Sequence, residues 1–233
     1  MQALMMNSQL MISSILKHAE RNFPDVEMVS VTVDNPRHRQ NYKTFGKRCR
    51  LLVNVLESLG AKLGDRIGTL AWNDYRHMEL YYAVSGSGMV CHTINPRLFP
   101  EQVAYIINHA ENKILFVDIL VMPLLEALKE HLAKVETVVV LSDRAHMPDS
   151  SLPNVLCYEE LLEAQSDDYE WPEFDENTAS GMCYTSGTTG NPKGVVYSHR
   201  STVLHALAGA LPDVTGASNM QTSLPVVPMF HVN

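Results

Sequence analysis

An α/β architecture of mostly parallel sheets flanked by helices is the fold this sequence predicts, and three observations predict it. From Gly64 onward short apolar runs alternate with amphipathic stretches, the rhythm of parallel strands joined by helical crossovers. The runs Ile67 to Trp72, Val90 to Ile94, Ile114 to Asp118 and Thr137 to Leu141 have the length and apolar character of strands. A loop rich in glycine and hydroxyl residues, Tyr184 to Gly194, lies between two further apolar runs suited to buried strands.

Composition supports a globular domain with a substantial core: 233 residues, 45% hydrophobic and 19% charged. The formal charge of -8 opposes sequence-independent attraction to nucleic acid or anionic lipid, so neither is expected as a partner. The first residues, Met1 to Met11, lack the leading basic residues and the small-residue site of a signal peptide, and no stretch is long and apolar enough to form a transmembrane segment. Cys49, Cys91, Cys157 and Cys183 are far apart within apolar neighbours, which favours buried free thiols over disulfides or zinc and makes a cytoplasmic location the simplest expectation.

Before Gly64, Ile12, Ile15, Leu16 and Ala19 predict a helix over Ile12 to Asn22, closed by Pro24. Val29, Val31 and Val33 alternate with polar residues, Asp34-Asn35-Pro36 turns the chain, and Asn41 to Thr44 can return as the second strand of a hairpin. Thr44 is placed to cap the next helix, whose apolar face runs from Phe45 to Leu59 before Gly60. Arg37, His38 and Arg39 fall at the hairpin turn and read as a solvated tip. Asn73 or Asp74 can cap a helix in which Tyr75, Met78, Tyr82 and Ser85 share a face. Further helices are predicted around Val103 to Ala110 and Leu124 to Leu132.

Between Ser142 and Asn177 prolines interrupt the pattern and only a short helix, around Tyr158 to Gln165, intervenes. Asp167, Asp168, Glu170, Glu173, Asp175 and Glu176 accumulate there without the spacing that would converge them on a metal, so this segment reads as a solvated linker. The chain accordingly divides into an α/β subdomain over residues 1–177 and the start of a second over residues 178–233, where a helix from Arg200 or Ser201 through Ala210 follows the loop. Leu224 to Val227 reads as a buried strand.

The loop is the chemical centre of the sequence. Its glycines let successive backbone N–H groups converge, Thr185, Ser186, Thr188 and Thr189 add hydroxyls, and Lys193 adds a positive charge, which together make a nest for a polyphosphate. It is not a Walker A loop, which needs four residues between its first glycine and a Gly-Lys-Ser/Thr exit, and it lacks the spacing of a dinucleotide fingerprint. Flexible linkers share the composition but seldom carry a Pro-Lys-Gly exit between two apolar strands.

The wording of Tyr184-Thr185-Ser186-Gly187-Thr188-Thr189-Gly190-Asn191-Pro192-Lys193-Gly194-Val195 closely resembles the phosphate-binding signature of the adenylate-forming (AMP-binding) superfamily. Ser198 to Ser201 and Pro228-Met229-Phe230-His231 extend the match downstream. Upstream, Thr69 to Asn73, His77 to Ala83 and His92 to Leu98 resemble the medium- and long-chain fatty acid–CoA ligase (acyl-CoA synthetase) branch.

The resemblance implies a ligase in which a fatty acid and ATP, with Mg2+, give acyl-adenylate and pyrophosphate before coenzyme A displaces AMP. It assigns the nucleotide phosphates to Thr185, Ser186, Gly187, Thr188, Thr189, Gly190 and Lys193, the Mg2+ to Thr185, and a place near the acyl–nucleotide junction to His231, for which a hydrogen-bonded core histidine is the competing reading. Catalytic roles are thus expected of Lys193, Thr185 and His231. The sequence stops inside the last of these motifs, before the family's ribose-binding segments, magnesium-completing glutamate and C-terminal lysine, so the resemblance implies a truncated N-terminal domain, inactive alone. A non-catalytic binding or assembly module, and an adenylating enzyme for an aryl or amino acid, are the alternatives, and a homodimer is compatible with any of them.

Overall fold

The computed structural model describes Met1, residues 5–185 and residues 191–231. The chain opens with helix α1 (Ile12–Asn22), an antiparallel hairpin of β1 (Glu27–Ser30) and β2 (His38–Asn41), and helix α2 (Tyr42–Ser58). There follow β3 (Arg66–Leu70), α3 (Tyr75–Gly86), β4 (Val90–Thr93), α4 (Pro100–His109), β5 (Ile114–Asp118), α5 (Met122–Ala127), β6 (Thr137–Leu141), β7 (Val155–Cys157) and α6 (Tyr158–Glu163). The last elements are β8 (Ala179–Thr185), β9 (Lys193–Ser198) and α7 (His199–Gly209).

Seven strands form one sheet in the order β7-β6-β5-β3-β4-β8-β9, every pair parallel except β8 with β9. The α/β expectation is therefore met. β8 and β9, from the region expected to begin a second subdomain, extend the same sheet. The alternation of side chains along each strand feeds two cores. On one face Ile67, Phe116, Val139 and Leu141 pack with α1, α2, α3 and α6; on the other Leu115, Val117, Val138 and Val140 pack with α4 and α5. A sheet covered on both sides explains why its central strands read as continuous apolar runs.

Several local readings change in the structure. Asn41, rather than Thr44, caps α2, its side chain accepting from the Thr44 amide at 2.9 Å, because β2 ends earlier than expected and the helix begins at Tyr42. Val31 and Val33 lie outside β1 and are exposed. His38 is no free tip: its ring stacks on Tyr75 at 3.5 Å between centroids. Glu176 of the acidic stretch accepts from the Leu10 amide at 2.9 Å and pairs with Arg200, tying the N-terminal segment to α7. All four cysteines are buried and free.

Helix α3 is enclosed on nearly every side. Besides Tyr75 and Ser85, it buries Arg76, His77 and Glu79. Glu79 accepts from Arg48 Nε at 2.7 Å, Gln40 at 3.2 Å and the Tyr158 hydroxyl at 2.6 Å. Arg48 reaches Glu159 through both terminal nitrogens, at 2.9 and 3.1 Å, and Arg76 joins Glu159 to Asp34. Arg48, Arg76, Glu79, Glu159 and Asp34 thus each have at least one opposite charge in contact, the condition under which such groups are tolerated inside a protein.

Candidate functional site

The strand order places one crevice. β3 is followed by β4 on one side and β5 on the other, so the connections diverge at the carboxyl ends of β3 and β5, the position where open α/β sheets bind ligands. Asp118 ends β5, and Asp74 follows β3 and caps α3 through the His77 amide at 2.8 Å. Burial, with the Asp118 charge adding to it against the helix cap, pushes the Asp74 carboxyl up to about 7.

β8 runs parallel to β4, so its carboxyl end, Thr185, arrives at the same edge of the sheet. The antiparallel register then sets Thr185 opposite Lys193 and Tyr184 opposite Gly194. Both ends of the loop are therefore fixed in a ladder, with the Thr185 hydroxyl and the Lys193 ammonium exposed side by side and Pro192 buried behind them. Among the described residues Lys193 makes no ion pair, which leaves its charge available to an anion. Ser186, Gly187, Thr188, Thr189 and Gly190 lie outside the described residues.

Tyr184 braces the loop's base. Its hydroxyl shares a 2.6 Å hydrogen bond with His109 Nδ1, and its ring lies where a side chain on Gly194 would have to go, 3.2 to 3.4 Å from an added Cβ. Gly194 is needed for clearance, not for an unusual backbone angle. Helix α7 begins directly after β9 with a reciprocal cap, Ser198 and Ser201 each bonding the other's backbone amide, starting one residue earlier than the sequence suggested.

The segment Leu224 to Val227 is no buried strand. Leu224, Val226 and Val227 are 84%, 80% and 64% exposed, and Pro225 and Pro228 remove the amides a ladder would use. The chain beyond it docks on the same sheet edge. Phe230 is 3% exposed and meets the Trp72 ring at 5.5 Å, with the Arg97 guanidinium over both rings. His231 is exposed, so it is not a core histidine; its amide donates to the Pro228 carbonyl at 3.0 Å. β3, β4 and β8 are successive strands, so the docked segment and Thr185 stand at one edge about two strand spacings, roughly 10 Å, apart.

Thr185 and Lys193 thus stand paired at this edge, and the Phe230–His231 turn docks on it at Trp72. The edge adds Asn73, Trp72, Tyr81, Arg97 and His109 as supports the sequence did not single out as such. One signal was present for part of this set: Trp72, Asn73 and Asp74 are bulky or polar residues immediately beyond a central parallel strand.

A 3-methylmercaptopropionyl-CoA ligase from Ruegeria lacuscaerulensis is 52% identical over 98% of this chain and 42% of its own length. A medium-chain-fatty-acid–CoA ligase from Ectopseudomonas oleovorans is 49% identical over the same shares, and a long-chain-fatty-acid–CoA ligase from Thermus thermophilus 46% identical over 98% of this chain and 41% of its own. The chain thus spans about two fifths of the length of these curated relatives. Among solved structures, a long-chain-fatty-acid–CoA ligase from Archaeoglobus fulgidus shares the fold with a TM-score of 0.81 at 22% identity, over 96% of this chain and 43% of that one. The family model for the AMP-binding enzyme matches residues 16–233, the loop and the docked segment included, and the chain belongs to that family.

Proposed function

We propose that this chain is the N-terminal part of an acid–thiol ligase that activates an unbranched carboxylic acid as its adenylate and passes the acyl group to coenzyme A. The observation that carries the reading is the exposed Thr185–Lys193 pair, clamped at the mouth of a loop whose wording matches the adenylate-forming signature. In the first step a carboxylate oxygen attacks the α-phosphorus of ATP and the bond to pyrophosphate breaks. In the second the coenzyme A thiol gives up its proton, its sulfur attacks the acyl carbon, and AMP leaves.

Little covalent chemistry falls to the protein; alignment and charge stabilisation carry such steps. Lys193 meets the charge that grows on pyrophosphate, and the loop hydroxyls and amides from Thr185 to Gly190 cradle the β- and γ-phosphates. The Thr185 hydroxyl is an exposed oxygen of the hard kind that Mg2+ takes, which fits the part-share in a Mg2+ site that the family resemblance gives it. Bound Mg2+ would supply charge neutralisation of the phosphates. His231, exposed beside the buried Phe230, faces the acyl–nucleotide junction in this reading, and residues 178–233, whose β8 and β9 extend the sheet begun by residues 1–177, serve as the loop-bearing part.

The relatives' names point to acids from a short thioether to a medium or long alkyl chain, and we extend that class to this protein. Four buried free thiols support a reducing compartment such as the cytoplasm. Pyrophosphate release with 3-methylmercaptopropionate, octanoate or palmitate, together with ATP, Mg2+ and coenzyme A, tests the reading. A longer polypeptide carrying this chain is expected to turn over one of these acids and the 233 residues alone none. Silence of the longer protein with all three sinks the substrate class; turnover by the short chain sinks its inactivity.

A further inference from the structure

One side chain at the sheet edge makes more backbone contacts than helix capping or strand pairing explains. The Asn73 carboxamide donates to the carbonyls of Pro225 at 3.0 Å and Val227 at 2.9 Å, and accepts from the Met229 amide at 2.7 Å. These groups sit at alternate residues of an irregular segment, on the side it turns toward the sheet. A carboxamide has two donors and one oxygen, and here the oxygen meets an N–H and both N–H groups meet oxygens, so the amide can be oriented in only one way.

The need for such a contact follows from the sequence. Pro225 and Pro228 lack amides, so the segment cannot join a sheet by a continuous ladder, and its carbonyls need donors from elsewhere. Asn73 supplies them from a fixed place, three residues beyond the end of β3 and directly before the Asp74 cap of α3. The Tyr81 hydroxyl, one turn and more along α3, donates to the Met229 carbonyl, and Arg97 lies 5.1 Å from the Trp72 ring centre and 5.8 Å from that of Phe230.

We infer that Asn73 is a positioning residue: it reads the backbone of residues 225–229 and thereby sets where Phe230 and His231 stand at the sheet edge. This rests on the ligase reading only for what the position is for, namely shaping the wall against which the acyl chain is held. The chemistry singles out asparagine. Aspartate has the same shape but no donors, and would set a negative charge against two carbonyl oxygens; glutamine is one methylene too long; alanine offers nothing.

Amide hydrogen exchange on the 233-residue chain tests the clamp without substrate, read as the rate at Met229 relative to Phe116 in the central strand. Asn73→Ala and Asn73→Asp are expected to raise that ratio at least tenfold, and Tyr81→Phe, which removes a single bond to the segment, less. An unchanged ratio, including one in which both amides speed up together, overturns the clamp. In the longer ligase Asn73→Asp is expected to raise the carboxylate KM at least fivefold while the ATP KM holds. A change in neither constant, or in both alike, overturns the role in acyl placement. Should the unsubstituted ligase be silent with every acid, the ligase reading falls with that role, while a raised Met229 ratio still upholds the clamp.

Discussion

The two ends of the sheet are built on different principles. Around β3, β5 and β6 the structure buries side chains on both faces and closes its charges on one another through Arg48, Arg76, Glu79, Glu159 and Asp34. Around β9, α7 and the segment after it, Val196, Leu204, Leu207, Leu211 and Val214 are exposed and Lys193 makes no ion pair among the described residues. On the proposed reading, the difference separates stability from chemistry. A self-contained platform carries the residues offered to a ligand, and those residues contribute little to holding the platform together.

Substitutions of similar size should therefore separate sharply by region. Glu79→Ala leaves Arg48 and the Tyr158 hydroxyl without their buried acceptor and is expected to cost about 3–5 kcal/mol in urea unfolding. A loss below about 1 kcal/mol would mean that the charged layer is not what holds α2, α3 and α6 together.

Acid should act on the same platform. Burial pulls His77, His92 and His199 down to about 4, from an ordinary value of 6.5. Between those values the unfolded chain binds protons that the fold does not, so stability is fully present above about 6.5 and falls as pH drops toward 4, by up to about 3 kcal/mol for each histidine. Asp74 works in the opposite sense: its raised value means that the fold binds the extra proton between 3.8 and about 7, so it favours the folded state toward acid. Burial also raises Glu79 and Asp118, which share its sense, and also lowers His38, which joins the histidines. With four histidines against three carboxyls, the midpoint of urea unfolding should fall between pH 7.5 and pH 5, and a rise would show that the carboxyls govern.

The smallest effect on folding is expected at Lys193. As an exposed side chain without an ion pair among the described residues, it can be changed to alanine with a stability cost within about 0.5 kcal/mol. The same change in the longer ligase should slow adenylation about 100-fold, the order of effect of losing one charge-stabilising donor. Adenylation at the original rate would remove Lys193 from the chemistry and blur the line between platform and site.

How far the sequence foretold this varies with the distance over which each feature is decided. β5 and β6 have the bounds their apolar runs suggest, because burial on both faces leaves a local mark. The loop's ends were legible in the order of Thr185, Pro192, Lys193 and Gly194. The charged layer was not, because Arg76 and Glu79 fall outside the face shared by Tyr75, Met78, Tyr82 and Ser85, and their partners such as Arg48, Gln40 and Glu159 lie 31 to 83 positions away. Asn73 was legible only as a helix cap or a piece of a motif, since its partners lie 152 to 156 residues downstream. The strand misread at Leu224 to Val227 shows the converse: apolar residues between two prolines have the composition of a strand without the amides to make one.

The contact between Gly194 and Tyr184 makes the two positions one unit of inheritance. A methyl group on residue 194 would press on the phenol ring, and the ring is held in place by His109. Neither residue can enlarge or shift independently, whereas a smaller residue at 184 would make room for alanine at 194. Lineages and engineered variants are then expected to trade the two together, and a redesign of the loop that treats its last glycine as a flexible joint would be changing the wrong property.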